Sequence, residues 1–455
     1  MVRARSSPHV RRRLIPVSLT VLGLSLFAGV VVSTSPMQEQ ALGASKEKSK
    51  SKAKVKAQET ETRKPRPAPS PTAAKSPYVV LGYNDLGMHC MNQDFSEICI
   101  LPPFNTLHAT VIDRTKGSPE IVTEHVNVEF SIPGNATSVT KTNFWVYAFG
   151  LFGVVLPPDI GLTGNGLFGR LFPTGKGDWN VTGIPITPLT DSGINNPFQL
   201  AHITVKNEQG TLVGQTDAVV PVSWEINCNL CHKEVLDDKG NVLVSVATDI
   251  LRKHDATVTK YNAANGTNFP TDLELRKPVL CAGCHADPAL GTTGMPGVSM
   301  FSHAMHGAHA PRMNQLPPNV TNACYACHPG VNTECQRDVH LSKGITCVNC
   351  HGDMAAVGDV NRRPWVDEPT CASCHQAMKP KFQFEEPGKL FKESRGHGGV
   401  HCAACHGPQH ATGPAVTDAD NVQAKLVQGH AGVINDCTVC HKEKPSDPFP
   451  HRRED

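Results

Sequence analysis

The strongest constraint on this chain is a pentapeptide, Cys-x-x-Cys-His, that occurs seven times in its C-terminal half. With 22 histidines among 455 residues, a residue that follows Cys-x-x-Cys by chance is histidine about one time in twenty. Zinc sites and thiol redox sites also use Cys-x-x-Cys, but neither requires histidine at the next position every time. The motifs, numbered 1 to 7 from here on, are Cys228–His232, Cys281–His285, Cys324–His328, Cys347–His351, Cys371–His375, Cys402–His406 and Cys437–His441.

Cys-x-x-Cys-His is the attachment sequence of c-type haem. Two intervening residues place both thiols on one turn, where they can bond to the two vinyl groups on one porphyrin edge, and the histidine becomes the proximal iron ligand. We therefore predict seven c-type haems. The predicted thioether residues are Cys228, Cys231, Cys281, Cys284, Cys324, Cys327, Cys347, Cys350, Cys371, Cys374, Cys402, Cys405, Cys437 and Cys440. The predicted proximal ligands are His232, His285, His328, His351, His375, His406 and His441.

Seven macrocycles on residues 226–455 leave little room for an ordinary side-chain core. The chain has 38 glycines and 36 prolines but only four tryptophans and five tyrosines, a composition that suits irregular backbone better than packed helices. Large apolar discs can replace the missing aromatic side chains as buried surface. We predict a heptahaem domain over residues 226–455, with short helical turns at the motifs and little other regular secondary structure.

The second axial ligands are sought among the ten further histidines of this region. Spacing relative to the motifs favours seven of them, and an imidazole at each distal position gives bis-histidine irons of low potential. Methionine at Met305 or Met354 is the alternative and would raise the potential there. The seven preferred distal ligands are His254, His306, His309, His340, His397, His410 and His430, with His303, His401 and His451 as alternates.

The N-terminal third has a different composition. Arginines precede an apolar run, Leu14 to Val32, so residues 1–44 are either a signal peptide or an N-terminal membrane anchor. Residues 45–76 are rich in Lys, Ser and Pro and are predicted to be a disordered basic linker. Short alternating apolar runs between Tyr78 and Trp224 predict a β-rich, sandwich-like domain over residues 77–225. The chain is therefore expected to be multidomain and exported, to the periplasm or the cell surface, and tethered if the apolar run is retained.

Three of the 17 cysteines lie outside the motifs. In an oxidising compartment, Cys90 and Cys99 can close a short disulfide, which leaves Cys335 unpaired. The alternative is that His89 beside Cys90 offers a ligand to a haem or small metal.

The motif-rich half resembles the periplasmic and outer-surface multihaem cytochromes of metal-respiring and other anaerobic bacteria, as in the segment RGHGGVHCAACHGPQH (395–410). The stretch LGYNDLGMHC (81–90) is similar to one found in large multihaem proteins. The resemblance implies haems arranged as a conductor, and in some members assembly into filaments. No motif carries lysine in place of histidine, as the nitrite-reducing relatives do at their catalytic haem.

These features favour an electron carrier over an enzyme. The expected partners are donor and acceptor redox proteins, such as other cytochromes or a membrane quinol oxidoreductase, with a homo-oligomer or filament as a further expectation. A net charge of +2 on an exported chain argues against nucleic acid. The alternative is a redox enzyme that acts on a small inorganic nitrogen or sulfur compound at one open haem.

Overall fold

The computed structural model describes residues 76–317, 320, 322–378, 384–447 and 451. The predicted signal or anchor segment (1–44) and the linker (45–76, apart from Ser76) lie outside these residues. All the described residues belong to one unit that spans Pro65–Asp455. Within this described part, no helix combines the length and the apolar character needed to cross a membrane.

The N-terminal part of the described chain is built from strands. The alternating apolar runs of this part include those that begin at Val126, Ile203 and Ala218, and all three lie in strands. The strands of this part are β1 (Tyr78–Tyr83), β2 (His89–Cys90), β3 (Ile98–Cys99), β4 (Thr106–Asp113), β5 (Glu120–Ile121), β6 (Val126–Ser131), β7 (Phe168–Pro173), β8 (Trp179–Thr182), β9 (Phe198–Asn207) and β10 (Leu212–Ser223), with helix α1 (Phe144–Phe152) between β6 and β7.

In the described residues, the main sheet contains nine strands in the order β1-β4-β8-β7-β6-β9-β10-β2, with β5 paired to β4. Strand β7 pairs first with β6, through Leu171 and Val128, and then with β8, through Phe172 and Asn180, so it passes from one half of the sheet to the other. The sheet folds over on itself at this point. A Cβ at Gly82 of β1 would lie 2.6 Å from the Ile203 side chain, which shows how closely β1 packs on the opposite half.

A single hydrophobic core fills the folded sheet. Its members include Leu107, Val128, Phe144, Ile203 and Val220, all fully buried. Burial of each such side chain contributes about 1.5–3 kcal/mol. The β-rich, sandwich-like domain predicted from the sequence is therefore confirmed.

After Glu225 the backbone becomes irregular, as the composition predicts. Short helices and 3-10 turns alternate with long connections, and the predicted fold class is confirmed. The remaining strands are β11 (Val235–Leu236), β12 (Val242–Val244) and β13 (Val279–Leu280). The helices are α2 (Val246–Asn265), α3 (Phe301–His309), α4 (Cys347–His351), α5 (Met354–Val357), α6 (Cys371–Met378), α7 (Cys402–His406) and α8 (Val422–Gln428).

The motif-rich part packs directly against the strand-rich part. Ala403 and Ala404 of α7 pack against Leu81 and Tyr83 of β1 in a second hydrophobic cluster. The side chain of Gln423 in α8 accepts a 2.6 Å hydrogen bond from the backbone of Gly82. Contacts such as these connect the two sides of the domain boundary that the sequence predicts after residue 225. The division of the chain into two domains there stays a prediction.

Candidate haem-binding sites

Each motif forms a single tight turn, and this turn carries both of its cysteines and its histidine. In motif 1, the carbonyl of Cys228 accepts hydrogen bonds from the backbone N–H groups of Cys231 and His232, at 3.2 and 2.9 Å. Motifs 1, 2, 3 and 7 contain 3-10 turns, and motifs 4, 5 and 6 lie in the short helices α4, α6 and α7. The turn supplies the thiol spacing that attachment requires.

Among the described residues, each of the seven motif histidines has its ring beside the ring of one other histidine. The centres of the two rings are 5.8–6.5 Å apart in every pair. The pairs are His232 with His309, His285 with His254, His328 with His306, His351 with His410, His375 with His340, His406 with His451 and His441 with His397.

This spacing is the one that an iron between two imidazoles requires. Metal–imidazole bonds are about 2 Å long and a ring nitrogen lies about 1 Å from the ring centre, so two imidazoles on opposite sides of one metal have centres about 6 Å apart. Direct packing of rings in contact allows shorter separations as well. The same spacing at all seven motifs therefore fits a haem iron held between each pair.

Six of the seven preferred distal histidines occur in these pairs: His254, His306, His309, His340, His397 and His410. The seventh position, beside His406, holds the alternate His451 rather than His430. His430 is exposed, and its Nδ1 contacts the carbonyl of Ala431 at 3.0 Å. Spacing favoured His430 because it lies shortly before motif 7, but the chain after motif 7 folds back to motif 6.

The other alternates have different surroundings. The Nε2 of His303 donates a 2.7 Å hydrogen bond to the carbonyl of Arg362, and while it makes this bond it cannot bind an iron. His401 is buried against the β-rich part, with Nε2 3.6 Å from the Asp178 carboxylate. Each motif histidine has a histidine partner in the described chain, so the pairing does not favour the methionine alternatives Met305 and Met354, which stay predictions.

Several paired histidines are oriented by a hydrogen bond from Nδ1. The acceptor is the Asp249 carboxylate for His232, at 2.9 Å, and the Asp338 carboxylate for His340, also at 2.9 Å. Backbone carbonyls accept from His285, His306 and His309, at 2.7 to 2.8 Å. A bond at Nδ1 leaves Nε2 as the free nitrogen and raises its strength as a ligand.

The surroundings also favour the neutral form of nine of the paired imidazoles. Burial, followed by a neighbouring imidazole, lowers the pKa of His328 and of His410 to about 4 in each case. A neutral ring has the free lone pair that iron needs, so both side chains are ready to ligate well above that pH. Burial lowers the pKa in the same direction for His232, His254, His306, His351, His406, His441 and His451.

One part of the site was not recognised from the sequence. His410 has a left-handed backbone, with φ of 63°, and its position is held by the 81–90 stretch. Gly87, with φ of 78°, lies so close to Gln409 that a Cβ on it would be 1.7 Å from that residue's carbonyl oxygen. The LGYNDLGMHC stretch therefore positions the histidine that pairs with His351 of motif 4. The only hint of this contact in the sequence of the stretch was its glycine, Gly87.

We expect Gly87→Ala to displace His410 and destabilise the protein. A left-handed backbone costs an L-residue about 1–2 kcal/mol, and the collision with Gln409 adds to this. A fraction of the protein should therefore lose the sixth ligand at motif 4 and acquire a high-spin haem signal in its electron paramagnetic resonance (EPR) spectrum.

The matched control is Gly134→Ala. Gly134 has a similar φ of 83°, but a Cβ there meets no atom within 4 Å, so only the backbone cost applies. Equal losses of stability in the two variants, measured by denaturant unfolding, would contradict the assigned role of Gly87.

Comparison with known proteins agrees with this geometry. A family model described as cytochrome c3 matches residues 339–418, which contain motifs 4, 5 and 6. The chain is 27% identical over 195 residues to the high-molecular-weight cytochrome c of Nitratidesulfovibrio vulgaris (strain Hildenborough), a match that covers 34% of this chain and 32% of that protein. Over part of its length the chain is therefore similar to multihaem c-type cytochromes.

Two further similarities are weaker. The chain is 24% identical over 176 residues to the dissimilatory sulfite reductase MccA of Wolinella succinogenes, covering 27% of this chain and 24% of that protein. The crystal structure of MtrC from Shewanella baltica OS185 aligns with 77% of this chain and 45% of that chain, at 15% identity and a TM-score of 0.15. The chain thus spans about a third or less of the length of the two curated relatives that it matches.

Proposed function

We propose that this cytochrome carries electrons through seven bis-histidine haems and has no substrate-binding iron. The observation that carries the proposal is the histidine partner beside each of the seven motif histidines. When bound, each haem iron supplies one-electron chemistry by alternating between its ferric and ferrous states. Two strong protein ligands on an iron leave no coordination position for a small substrate.

The arrangement of the binding sites supports a relay. Helix α2 serves motifs 1 and 2 together, because its Asp249 orients His232 of motif 1 while its His254 pairs with His285 of motif 2. Two haem sites that share one helix cannot lie far apart.

Helix α3 connects motif 1 to motif 3 in the same way. Its His309 pairs with His232, and its His306, one turn earlier, pairs with His328. The sites therefore follow one another in the order 2, 1, 3, which differs from their order in the sequence.

From motif 3 onward, the attachment cysteines of successive motifs are neighbours. The thiols of Cys324 and Cys347 are hydrogen-bonded, which brings motif 3 against motif 4. Burial, and then the neighbouring thiol of the next motif, raises the pKa of Cys350 and of Cys405. For Cys371, burial and the Glu385 carboxylate raise the pKa first, and the thiol of Cys402 adds to them. The neighbouring thiol pairs are Cys350 with Cys374, Cys371 with Cys402 and Cys405 with Cys440. We propose a continuous series of sites in the order 2, 1, 3, 4, 5, 6, 7.

The cellular role follows from covalent attachment and the N-terminal sequence. We propose that the protein is exported to the periplasm or the cell surface and exchanges electrons with donor and acceptor redox proteins in respiration. Retention of residues 1–44 would tether it to the membrane, and assembly with further copies would lengthen the series. Covalent haems suit such a location because they cannot diffuse away.

A redox enzyme is the second candidate. The similarity to a protein named a dissimilatory sulfite reductase favours it, since that name implies an inorganic sulfur substrate for the relative. Such an activity here needs one iron with an exchangeable ligand. The paired histidines at all seven motifs of the described chain argue against it.

EPR of the oxidised protein, purified from a host that matures c-type cytochromes, tests the proposal. We expect seven haems per chain by mass and haem assay, all low-spin and none able to bind carbon monoxide when reduced. One high-spin haem that binds carbon monoxide would instead support the enzyme, and fewer than seven haems would remove the proposed series.

A further inference from the structure

The three cysteines outside the motifs lie in two separate places. Cys99 is fully buried on β3, whose partner is β13, where Leu280 is opposite Cys99. Cys90 lies on β2 and is opposite Ser223 at the end of β10. Cys335 belongs to the connection between motifs 3 and 4, on the other side of the sequence boundary.

The segment that contains Cys335 is tied to the β2–β10 region by several polar contacts. The Oγ of Ser223 is 3.3 Å from the Oγ1 of Thr333. The Glu225 carboxylate accepts backbone hydrogen bonds from Val331 at 2.8 Å and from Thr333 at 2.6 Å. These contacts hold residues 331–333 beside the strand residue that faces Cys90.

Arg337 closes the other side of this contact. One of its guanidinium nitrogens, Nη1, donates to the carbonyl of Cys335 at 3.1 Å and to the carbonyl of Gly87 at 2.6 Å. A single nitrogen that bonds both carbonyls brings the backbone around Cys335 next to the 87–90 stretch. Arg337 is fully buried, so this arrangement is inside the protein.

The two thiols are close enough to interact. Burial, and then the thiol of Cys335, raises the pKa of Cys90. Burial raises the pKa of Cys335, Arg337 opposes this, and the thiol of Cys347 adds to it. The thiol that acts on Cys99 belongs to Cys281. Cys347 and Cys281 are both attachment residues, and haem binding converts them to thioethers. Of the interacting thiols in the described chain, Cys90 and Cys335 then remain as a pair.

We propose that Cys90 and Cys335 form a disulfide bond that links the β-rich part covalently to the haem-bearing part. The two thiols lose two protons and two electrons as the S–S bond forms, and a protein disulfide of the exported compartment accepts them and becomes two thiols. This pairing replaces the Cys90–Cys99 bond suggested by closeness in sequence. It relies on export and haem attachment, as in the proposed function.

Non-reducing peptide mapping of the purified holoprotein tests the bond. We expect one cross-linked peptide pair that contains Cys90 and Cys335 and that separates on reduction with a gain of about 2 Da. In denaturant without reductant, an alkylating reagent should modify Cys99 alone, and after reduction all three cysteines outside the motifs. A peptide that links Cys90 to Cys99, or alkylation of all three before reduction, overturns the proposal.

Serine variants sharpen the result. Cys90→Ser should release Cys335 for alkylation, and Cys335→Ser should release Cys90, whereas Cys99→Ser should leave the cross-link intact. The peptide map of the unmodified chain decides the question even if a variant fails to fold. A haem assay on the same sample separates the two proposals, because seven haems without the cross-link refutes only the disulfide.

Discussion

His451→Ala should convert one of the seven haems to a high-spin state, while the other six remain low-spin. The ring of His451 lies 5.8 Å from that of His406, centre to centre, and is stacked on Phe384 at 4.5 Å. Its removal leaves the motif 6 iron with one protein ligand, and five-coordinate or water-bound haem is high-spin. EPR of the oxidised protein and carbon monoxide binding by the reduced protein both measure the change, at about one haem in seven.

His430→Ala is the matched control, since both residues follow motif 6 and both were candidates from the sequence. The exposed His430 ring is bonded to a nearby carbonyl and to no motif histidine in the described chain. We expect its spectrum to equal that of the unmodified protein. If His430→Ala yields the high-spin haem and His451→Ala does not, the pairing at motif 6 is wrong.

Arg337→Met should cost about 3–5 kcal/mol of unfolding free energy, the usual result of leaving one buried charge without its partner. Arg337 is fully buried and bonds the Asp420 carboxylate through two nitrogens, Nε at 2.6 Å and Nη2 at 2.9 Å. It also supports the carbonyls of Gly87 and Cys335. Denaturant unfolding followed by far-ultraviolet circular dichroism measures the loss.

Arg363→Met provides the comparison. Arg363 also forms a two-nitrogen ion pair, with Asp367, but its side chain is exposed. Exposed pairs are screened by water and salt, so this variant should unfold nearly as the unmodified protein does. Adding Asp420→Leu to Arg337→Met should recover part of the stability, because the stranded carboxylate is removed. Equal losses for Arg337→Met and Arg363→Met would show that the buried network does not stabilise the fold.

Much of the architecture could be read from patterns of a few residues. The alternation in β6, β9 and β10 predicted the strands because side chains on a strand point alternately to its two faces. The short turns at the motifs followed from the spacing of the thiols. The folding of the sheet on itself at β7 could not be predicted, because it depends on packing between strands that are distant in sequence.

In the candidate site, too, the sequence predicted local features but not the contacts between distant segments. Six of the histidines that pair with a motif histidine were already preferred from the sequence, because the haem region has ten further histidines and these lie at suitable spacings from the motifs. The motif with which each one pairs was not predictable. His410 follows motif 6 and yet pairs with His351 of motif 4, and His451 follows motif 7 and pairs with His406. The role of Gly87, far from any motif, was also invisible without its contact with Gln409.

The sequence alone predicted where haem is attached, because thioether formation needs only two cysteines and a histidine within five consecutive residues. Tertiary structure alone decided which histidine faces each motif and in what order the sites follow one another. An axial ligand on the far side of a haem comes from another part of the chain, and only the packing of α2, α3 and the 81–90 stretch brings it there.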